Sequence, residues 1–334
     1  MDKRPLGNTG PKVSAIGLGC MGMSDAYGPT DRGESIATIH AALDAGINLI
    51  DTGDFYAMGK NELLIAEALK GRNRDEVQLS VKFGALRAPD GSFSGFDGRP
   101  AAIKNFLAYS LVRLGVDHID IYRPARLDPN VPIEDTIGAL SDLVKAGYIK
   151  HIGLSEVGAD TIRRAAKVHP IVDLQIEYAL ITRGIEDEIL PACRELGIGI
   201  TAYGVLARGL IGGHWTKDSA APNDYRAMNP RFQGANLDAN LALVERLRAI
   251  ADSIGASVAQ VAIAWVAAQG DDIVPVIGAR RRDRLAEALG ALKLKLTPAQ
   301  LADLTTAIPR DAAAGARYPE LQMAFLDSEK RKTA

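Results

Sequence analysis

Residues 118–156 read HIDIYRPARLDPNVPIEDTIGALSDLVKAGYIKHIGLSE, and this stretch holds the unit that decides the fold. The runs at 118–123 and 151–156 are short, mostly apolar and rich in isoleucine. Between them, 133–146 carries apolar residues at helical spacing, and Gly147 stands where a helix stop is needed. Strand, helix and strand in that order, with strands too apolar to have a wet face, describe a parallel pair buried on both sides.

Working outward, the same pattern recurs without any repeat of sequence. Strand-like runs fall at 14–19, 48–52, 77–82, 172–177, 199–203 and 273–278, which with the first two makes eight. Helix-like stretches separate them, at 36–43, 101–114, 160–168, 186–196, 237–254, 258–268, 282–292 and 298–308. Asn61 reads as the N-cap of the helix ELLIAEALK, with Gly71 beyond its end. Eight strands, each followed by a helix, predict a (β/α)8 TIM barrel forming one domain over residues 1–334. GNTGP at 7–11 predicts an N-terminal β-hairpin that plugs the barrel bottom. Residues 209–233, rich in Gly, Pro, Asn and Asp, predict a long loop over the mouth between strands seven and eight.

Composition bounds the function classes. The chain has 334 residues, with 47% hydrophobic and 24% charged residues and a formal net charge of −2. That balance excludes a disordered chain and gives no basic excess for nucleic acid. Two cysteines make no disulfide framework, which points to a reducing, cytoplasmic setting. No apolar run is long enough for a membrane span. The expected partner is a small molecule, not a nucleic acid or a membrane, with the chain a monomer or homo-oligomer. No metal-ligand spacing occurs, so no metal is expected.

Two motifs mislead. Gly17-Leu-Gly19-Cys-Met-Gly22 matches a dinucleotide fingerprint, but that mechanism needs a helix N-terminus directly after the glycines. Here Gly28 and Pro29 make the following stretch a loop. Tyr56-Ala-Met-Gly-Lys60 matches Y-x-x-x-K, yet Gly59 places it in a loop rather than on one helix face.

A barrel keeps its chemistry at the C-terminal ends of its strands. Asp51, Lys82, Ser155, Glu156, Gln175, Glu177 and Tyr203 fall there, with Tyr56 in the loop after strand two. A free phenol is a weak acid, and a neighbouring ammonium favours its ionised form. Lys82, held by Asp51, is therefore expected to acidify Tyr56. Tyr56 would then protonate a carbonyl oxygen while a hydride arrives from a cofactor.

With those residues in place, the chain resembles the aldo-keto reductase superfamily over nearly its whole length. The resemblance is carried by AIGLGCMGMS, NLIDTGDFYAMGKNELLIAEAL, LSVKFG, DHIDIYRPARLDPNVPIEDTIGAL, IGLSEVGADTIRRA, LQIEYAL, ITAYGVLARGL, VPVIGARRRDRLAEALGAL and GARYPE. It implies a barrel enzyme that reduces aldehydes or ketones with NADPH or NADH. Asp51, Tyr56 and Lys82 match three members of the catalytic tetrad, with Tyr56 the proton donor. Ser155 and Gln175 match residues holding the nicotinamide carboxamide, Glu156 stands where an Asn is usual, and Tyr203 matches the ring stacked on the nicotinamide. The resemblance places cofactor contacts also at Gly19, Met21, Asp51, Gly204, Val205, Leu206, Arg208, Gly209, Lys217, Ile277, Gly278 and Ala279. Arg280, Arg284 and Glu287 match the adenosine-phosphate site, with Ala288 where an adenine-binding Asn is common. Arginine forks suit phosphate, so the run Arg280-Arg281-Arg282-Asp283-Arg284 favours NADPH.

The pattern departs at the fourth tetrad position. Ala125 stands where a His is expected, in Arg123-Pro-Ala125-Arg126. An enlarged pocket for a bulky or cyclic carbonyl, lined by Met23, Tyr56, Arg123, Ala125 and Arg126, is one consequence. Arg123, Arg126 or a water could then serve the substrate oxygen. Pyridoxal-reductase-like members depart here too, which keeps a pyridoxal-type aldehyde open. A NADP(H)-binding regulator with little turnover is the alternative of another class. It has no need of the retained Asp51, Tyr56 and Lys82.

Overall fold

The computed structural model describes residues 1–219 and 224–330. Its centre is a closed barrel of eight parallel strands. A hairpin of β1 (Lys3–Pro5) and β2 (Lys12–Ser14) precedes it, paired antiparallel as the GNTGP turn predicts. The barrel strands follow in order as β3 (Gly17–Gly19), β4 (Leu49–Gly53) and β5 (Gln78–Phe83). A second hairpin, β6 (Ala85–Arg87) with β7 (Phe93–Phe96), leads to β8 (Ile119–Pro124). Next come β9 (Ile149–Ser155), β10 (Ile171–Glu177), β11 (Gly199–Tyr203) and β12 (Ile273–Gly278), and β12 closes on β3.

The helices lie outside. They are α1 (Arg32–Asp44), α2 (Lys60–Ala68), α3 (Pro100–Leu114), α4 (Ile133–Lys145), α5 (Ala159–Val168) and α6 (Ile189–Leu196). Then come α7 (Gly234–Ser253), α8 (Val258–Ala267), α9 (Arg282–Gly290), α10 (Pro298–Ala307) and the short α11 (Glu320–Met323). Among the described residues, no single helix is long and apolar enough to cross a membrane.

The hairpin plug is visible in the packing. Leu6 and Val13 form a buried cluster with Leu49, Ile121, Val172, Val274 and Val276, which line the lower barrel interior. The predicted first strand at 14–19 is divided between two elements. Ser14 ends the hairpin, where its hydroxyl accepts from the Asn48 N–H at 3.1 Å, and only Gly17–Gly19 enters the barrel. Asn61 is not an N-cap, because α2 already begins at Lys60, with Gly59 in the cap position. Its buried side chain instead ties three segments together, reaching Thr52 Oγ1 (2.6 Å), the Cys20 carbonyl (2.9 Å) and Ser24 Oγ (2.7 Å).

Both misleading motifs lie in loops, as their punctuation predicts. One short helical turn at Met21–Met23 follows Gly19, and the next α-helix waits until Arg32. Tyr56–Gly59 is a single tight turn before α2. The mouth loop carries short turns at Ala207–Gly212, Tyr225–Met228 and Pro230–Phe232, while residues 220–223 of the predicted loop lie outside the described residues.

Candidate active site

Strand alternation sends every second side chain into the barrel. In β10 these are Asp173, Gln175 and Glu177, at three rising levels. Asp173 is lowest. It accepts both Nη2 bonds from Arg123 of β8, each 2.8 Å, and one from Thr201 Oγ1 at 2.6 Å. Gly153 of β9 is required at this level, since a Cβ there would stand 2.4 Å from Asp173 Oδ1 and 2.7 Å from Arg123 Nε.

The middle level centres on Asp51 of β4. Lys82 Nζ lies 2.5 Å from Asp51 Oδ1. Ser80 Oγ (2.8 Å) and Gln175 Nε2 (2.7 Å) donate to Oδ2, with Arg123 Nη1 at 3.4 Å. Two carboxylates and two cations therefore balance inside a closed cylinder, where an unpaired charge would be costly. Burial pushes the Lys82 ammonium below its usual range, and Asp51 opposes that shift.

Tyr56 hangs over this pair, with Lys82 Nζ 5.2 Å from its ring centroid. Its turn is unusual. Ala57 (φ 47°), Met58 (φ 54°) and Gly59 (φ 88°) are all left-handed, a conformation the surroundings must enforce. Arg113 closes the turn from behind, since a Cβ on Gly59 would meet Arg113 Cδ at 2.7 Å. The expected acidification by Lys82 is not what the structure shows. Burial first, then Asp51, hold the phenol well above its usual range, and Arg126 is the leading cation that opposes them. Tyr56 thus keeps its proton at neutral pH.

Arg123 was expected to line the substrate pocket, and this expectation is corrected. It is 0% exposed, and both its terminal nitrogens are held below the mouth by Asp173, Ser80 and Asp51, so it cannot reach a substrate oxygen. Met23 is likewise packed in the apolar core. Ala125 is buried, with its N–H bonded to the Phe83 carbonyl at 2.8 Å. Arg126 is half-buried at the mouth.

The residues expected to contact a cofactor divide into a central group and an edge group. Centrally, the Ser155 hydroxyl is buried without a hydrogen-bond partner, as a group awaiting a ligand would be. Gln175 shares that level through its bond to Asp51. Tyr203 is half-exposed, its hydroxyl fixed by Glu156 Oε1 (2.7 Å) and Tyr318 (2.8 Å). Gly19 pairs with Gly278 and with Asp51, placing Met21 beside the same opening. Ile277 and Ala279, on either side of Gly278, are buried. Gly204 (φ 64°) sits against Glu177, followed by buried Val205 and half-buried Leu206. Arg208 and Gly209 continue the loop in left-handed conformations.

At the edge, a cleft of about 710 Å3 is lined by Pro29, Thr30, Asp31, Glu34 and residues 280–283. Arg281 pairs with Asp283, Arg282 with Glu34, and Arg284 with Glu287. Arg280 alone of the run has no carboxylate, and donates to the Tyr27 and Gly28 carbonyls at 2.8 and 3.2 Å. Two expected contacts are corrected here. Lys217 stands exposed against Asp238 of α7 at 2.6 Å, and the Ala288 side chain is buried in the apolar core.

Sequence reasoning assigned no role to the tail around GARYPE, yet the tail completes the mouth. Glu156 (φ 54°) accepts from Arg317 Nη2 at 2.6 Å and Ser328 Oγ at 2.7 Å. Burial raises the Glu156 carboxyl, but Arg317, joined by Arg126 and the Tyr203 hydroxyl, more than reverses this and holds it far below the usual range. Arg208 Nη2 reaches Glu177 at 3.1 Å and lies over the Tyr318 ring at 4.4 Å. Phe325 packs on Phe93 and Phe96 of the second hairpin. The signal available in sequence was Glu156 itself, a charge at a strand end with no local partner.

Comparison with known proteins agrees with this geometry. The model of the Aldo/keto reductase family matches residues 15–309. A probable aldo-keto reductase 1 from Glycine max is 43% identical over 316 residues, covering 94% of this chain and 90% of that protein. The structure of the glycerol dehydrogenase AKR11B4 from Gluconobacter oxydans superposes with a TM-score of 0.82 at 29% identity, covering 92% of this chain and 95% of that one. The thermostable aldo-keto reductase Tm1743, solved with the inhibitor epalrestat, superposes with a TM-score of 0.74 at 26% identity, covering 92% and 100%.

Proposed function

Since the chain belongs to the aldo/keto reductase family, oxidoreductases acting on carbonyl groups, we propose that it reduces an aldehyde or ketone with NADPH, Tyr56 giving the proton. The observation that carries this reading is the buried Lys82–Asp51 pair under the Tyr56 ring, beside the unpartnered Ser155 hydroxyl. A nicotinamide cofactor, when bound, supplies the hydride. Ser155 and Gln175 would hold its carboxamide, the Tyr203 ring would lie against it, and Arg280 would meet a phosphate at the adenosine end.

Each residue of the protein then has a physical task. Tyr56 stores a proton that burial and Asp51 keep on the oxygen at neutral pH. The donor is thereby in the correct state before a carbonyl oxygen arrives, and general acid assistance of this kind contributes about 10²–10⁴ in rate. Arg126, the leading cation acting on the phenol, together with Lys82 at 5.2 Å from the ring centroid, would lower the cost of the phenolate left behind. Asp51 fixes Lys82, and the Arg123–Asp173 pair below keeps Asp51 from bearing an uncompensated charge. Ala125, in place of a ring-bearing side chain, supports a bulky or cyclic substrate.

The test is consumption of NADPH, and separately of NADH, with linear, cyclic and pyridoxal-type carbonyls, in the wild type and in Lys82→Met. The proposal expects carbonyl-dependent oxidation, NADPH preferred, and loss of turnover in the variant with cofactor binding retained. Tight cofactor binding with no carbonyl consumed would instead favour a regulator.

A further inference from the structure

Arg126 differs from the other arginines in and beneath the mouth. Arg123 reaches Asp173 and Asp51. Arg208 and Arg231 reach Glu177, and Arg317 reaches Glu156. Each of these cations is within ion-pair distance of a buried carboxylate, with Glu177 shared by Arg208 and Arg231. Among the described residues, Arg126 is within ion-pair distance of none. Its guanidinium bonds only neutral acceptors, the Ala125 carbonyl (2.6 Å) and the Tyr318 hydroxyl (3.4 Å), and stands 5.9 Å from the Tyr318 ring centroid.

A guanidinium drawn partly out of water, with Glu156 acting on it only from beyond ion-pair distance, is costly unless an anion completes it. A planar fork of donors suits a carboxylate or a phosphate. The neighbouring Ala125 carries only a methyl group, and Arg126 is close enough to Tyr56 for its charge to act on the phenol. The hydroxyls of Tyr27 and Tyr56, both half-buried, also lack hydrogen-bond partners among the described residues.

We propose that Arg126 is a specificity-determining residue that takes the anionic group of the substrate, so that the protein prefers carbonyl compounds bearing a carboxylate or a phosphate. This rests on the reductase reading above and deepens it. Arg280, in the edge cleft, is a second arginine without a carboxylate in ion-pair distance; on the reductase reading it would meet a cofactor phosphate, which leaves Arg126 for an anion on the substrate.

The test compares 4-carboxybenzaldehyde with its uncharged counterpart, methyl 4-formylbenzoate, in the wild type, Arg126→Gln and Arg126→Lys. 4-Formylphenyl phosphate serves as the phosphate-bearing arm. The quantity read is the ratio of kcat/KM for the anionic substrate to that for the ester. The wild-type ratio should exceed 10, and Arg126→Gln should lower it about thirtyfold or more, mainly through KM. Arg126→Lys should recover part of it, because the charge returns without the fork. Terephthalate binding, followed by calorimetry in the presence of NADP+, gives a readout without turnover and should weaken at least tenfold in Arg126→Gln. A ratio near one in the wild type, or a ratio that Arg126→Gln leaves within threefold, overturns the proposal. If no carbonyl is consumed, the reductase reading fails, and unaltered terephthalate binding in Arg126→Gln would still overturn this one by itself.

Discussion

Replacing Arg123 by Met tests the charge balance inside the barrel. The wild-type side chain is fully buried and donates twice to Asp173 at 2.8 Å and once to Ser80 Oγ at 2.9 Å, with Asp51 at 3.4 Å. Arg123→Met leaves the Asp173 carboxylate in the same enclosure with only Thr201 as a side-chain partner. Removing one member of a buried pair costs about 3–5 kcal/mol, against a total stability on the order of 5–15 kcal/mol. Thermal unfolding should shift down on the order of 10 °C. The double variant Arg123→Met/Asp173→Asn removes the stranded charge and should regain at least half of the loss.

The pH dependence has a definite sign. Burial already raises the Asp173 carboxyl, and Arg123 is the main influence opposing it. Without Arg123 its folded pKa rises further above the unfolded value, so protonation favours the folded state. The deficit of Arg123→Met should therefore be smallest in acid and grow as pH rises through the folded pKa. Differential scanning calorimetry between pH 4 and 8 reads both effects. A single variant within about 1 kcal/mol of wild type at pH 7, with no recovery in the double variant, refutes the reasoning.

Other expectations follow from the same geometry. Ser155→Ala removes a hydroxyl that has no protein partner, so stability should hold while cofactor binding weakens up to about tenfold, read by cofactor fluorescence. Arg280→Ala should weaken NADPH by about tenfold or more and NADH far less, read in the same titration; equal losses would displace the phosphate site. Glu156→Gln should destabilise the protein at neutral pH and flatten its acid limb. The Glu156 carboxyl has a depressed folded pKa, so the stability it contributes is complete above the unfolded value and disappears as pH falls through the folded one. An unchanged acid limb in urea unfolding would count against the Arg317–Glu156 tie.

The barrel was legible because its signals are local. Apolar strands, glycine stops and turn residues repeat around the chain, and boundaries shifted only where a side chain found a distant use, as with Ser14 and Asn61. That Asp51, Lys82 and Ser155 reach one end of the barrel was legible because a strand's end fixes where a side chain emerges, and Tyr56 was placed beside them by the short loop after β4. Arg123 was misplaced for a related reason. Its direction depends on a two-residue alternation, and its partner Asp173 lies 50 residues away, beyond any local pattern. The tail resisted reading because Arg317 and Tyr318 gain meaning only from Glu156 and Tyr203 across the mouth, more than 110 residues distant in sequence.

The central claim is that Tyr56 delivers the proton, and single-turnover NADPH oxidation by Tyr56→Phe probes it most directly, with cofactor affinity measured on the same sample. The phenyl ring preserves shape and the contact above Lys82 while removing the O–H. The account predicts a rate lower by about 10²–10⁴ with NADPH affinity within about threefold of wild type. A rate within about tenfold of wild type would contradict it.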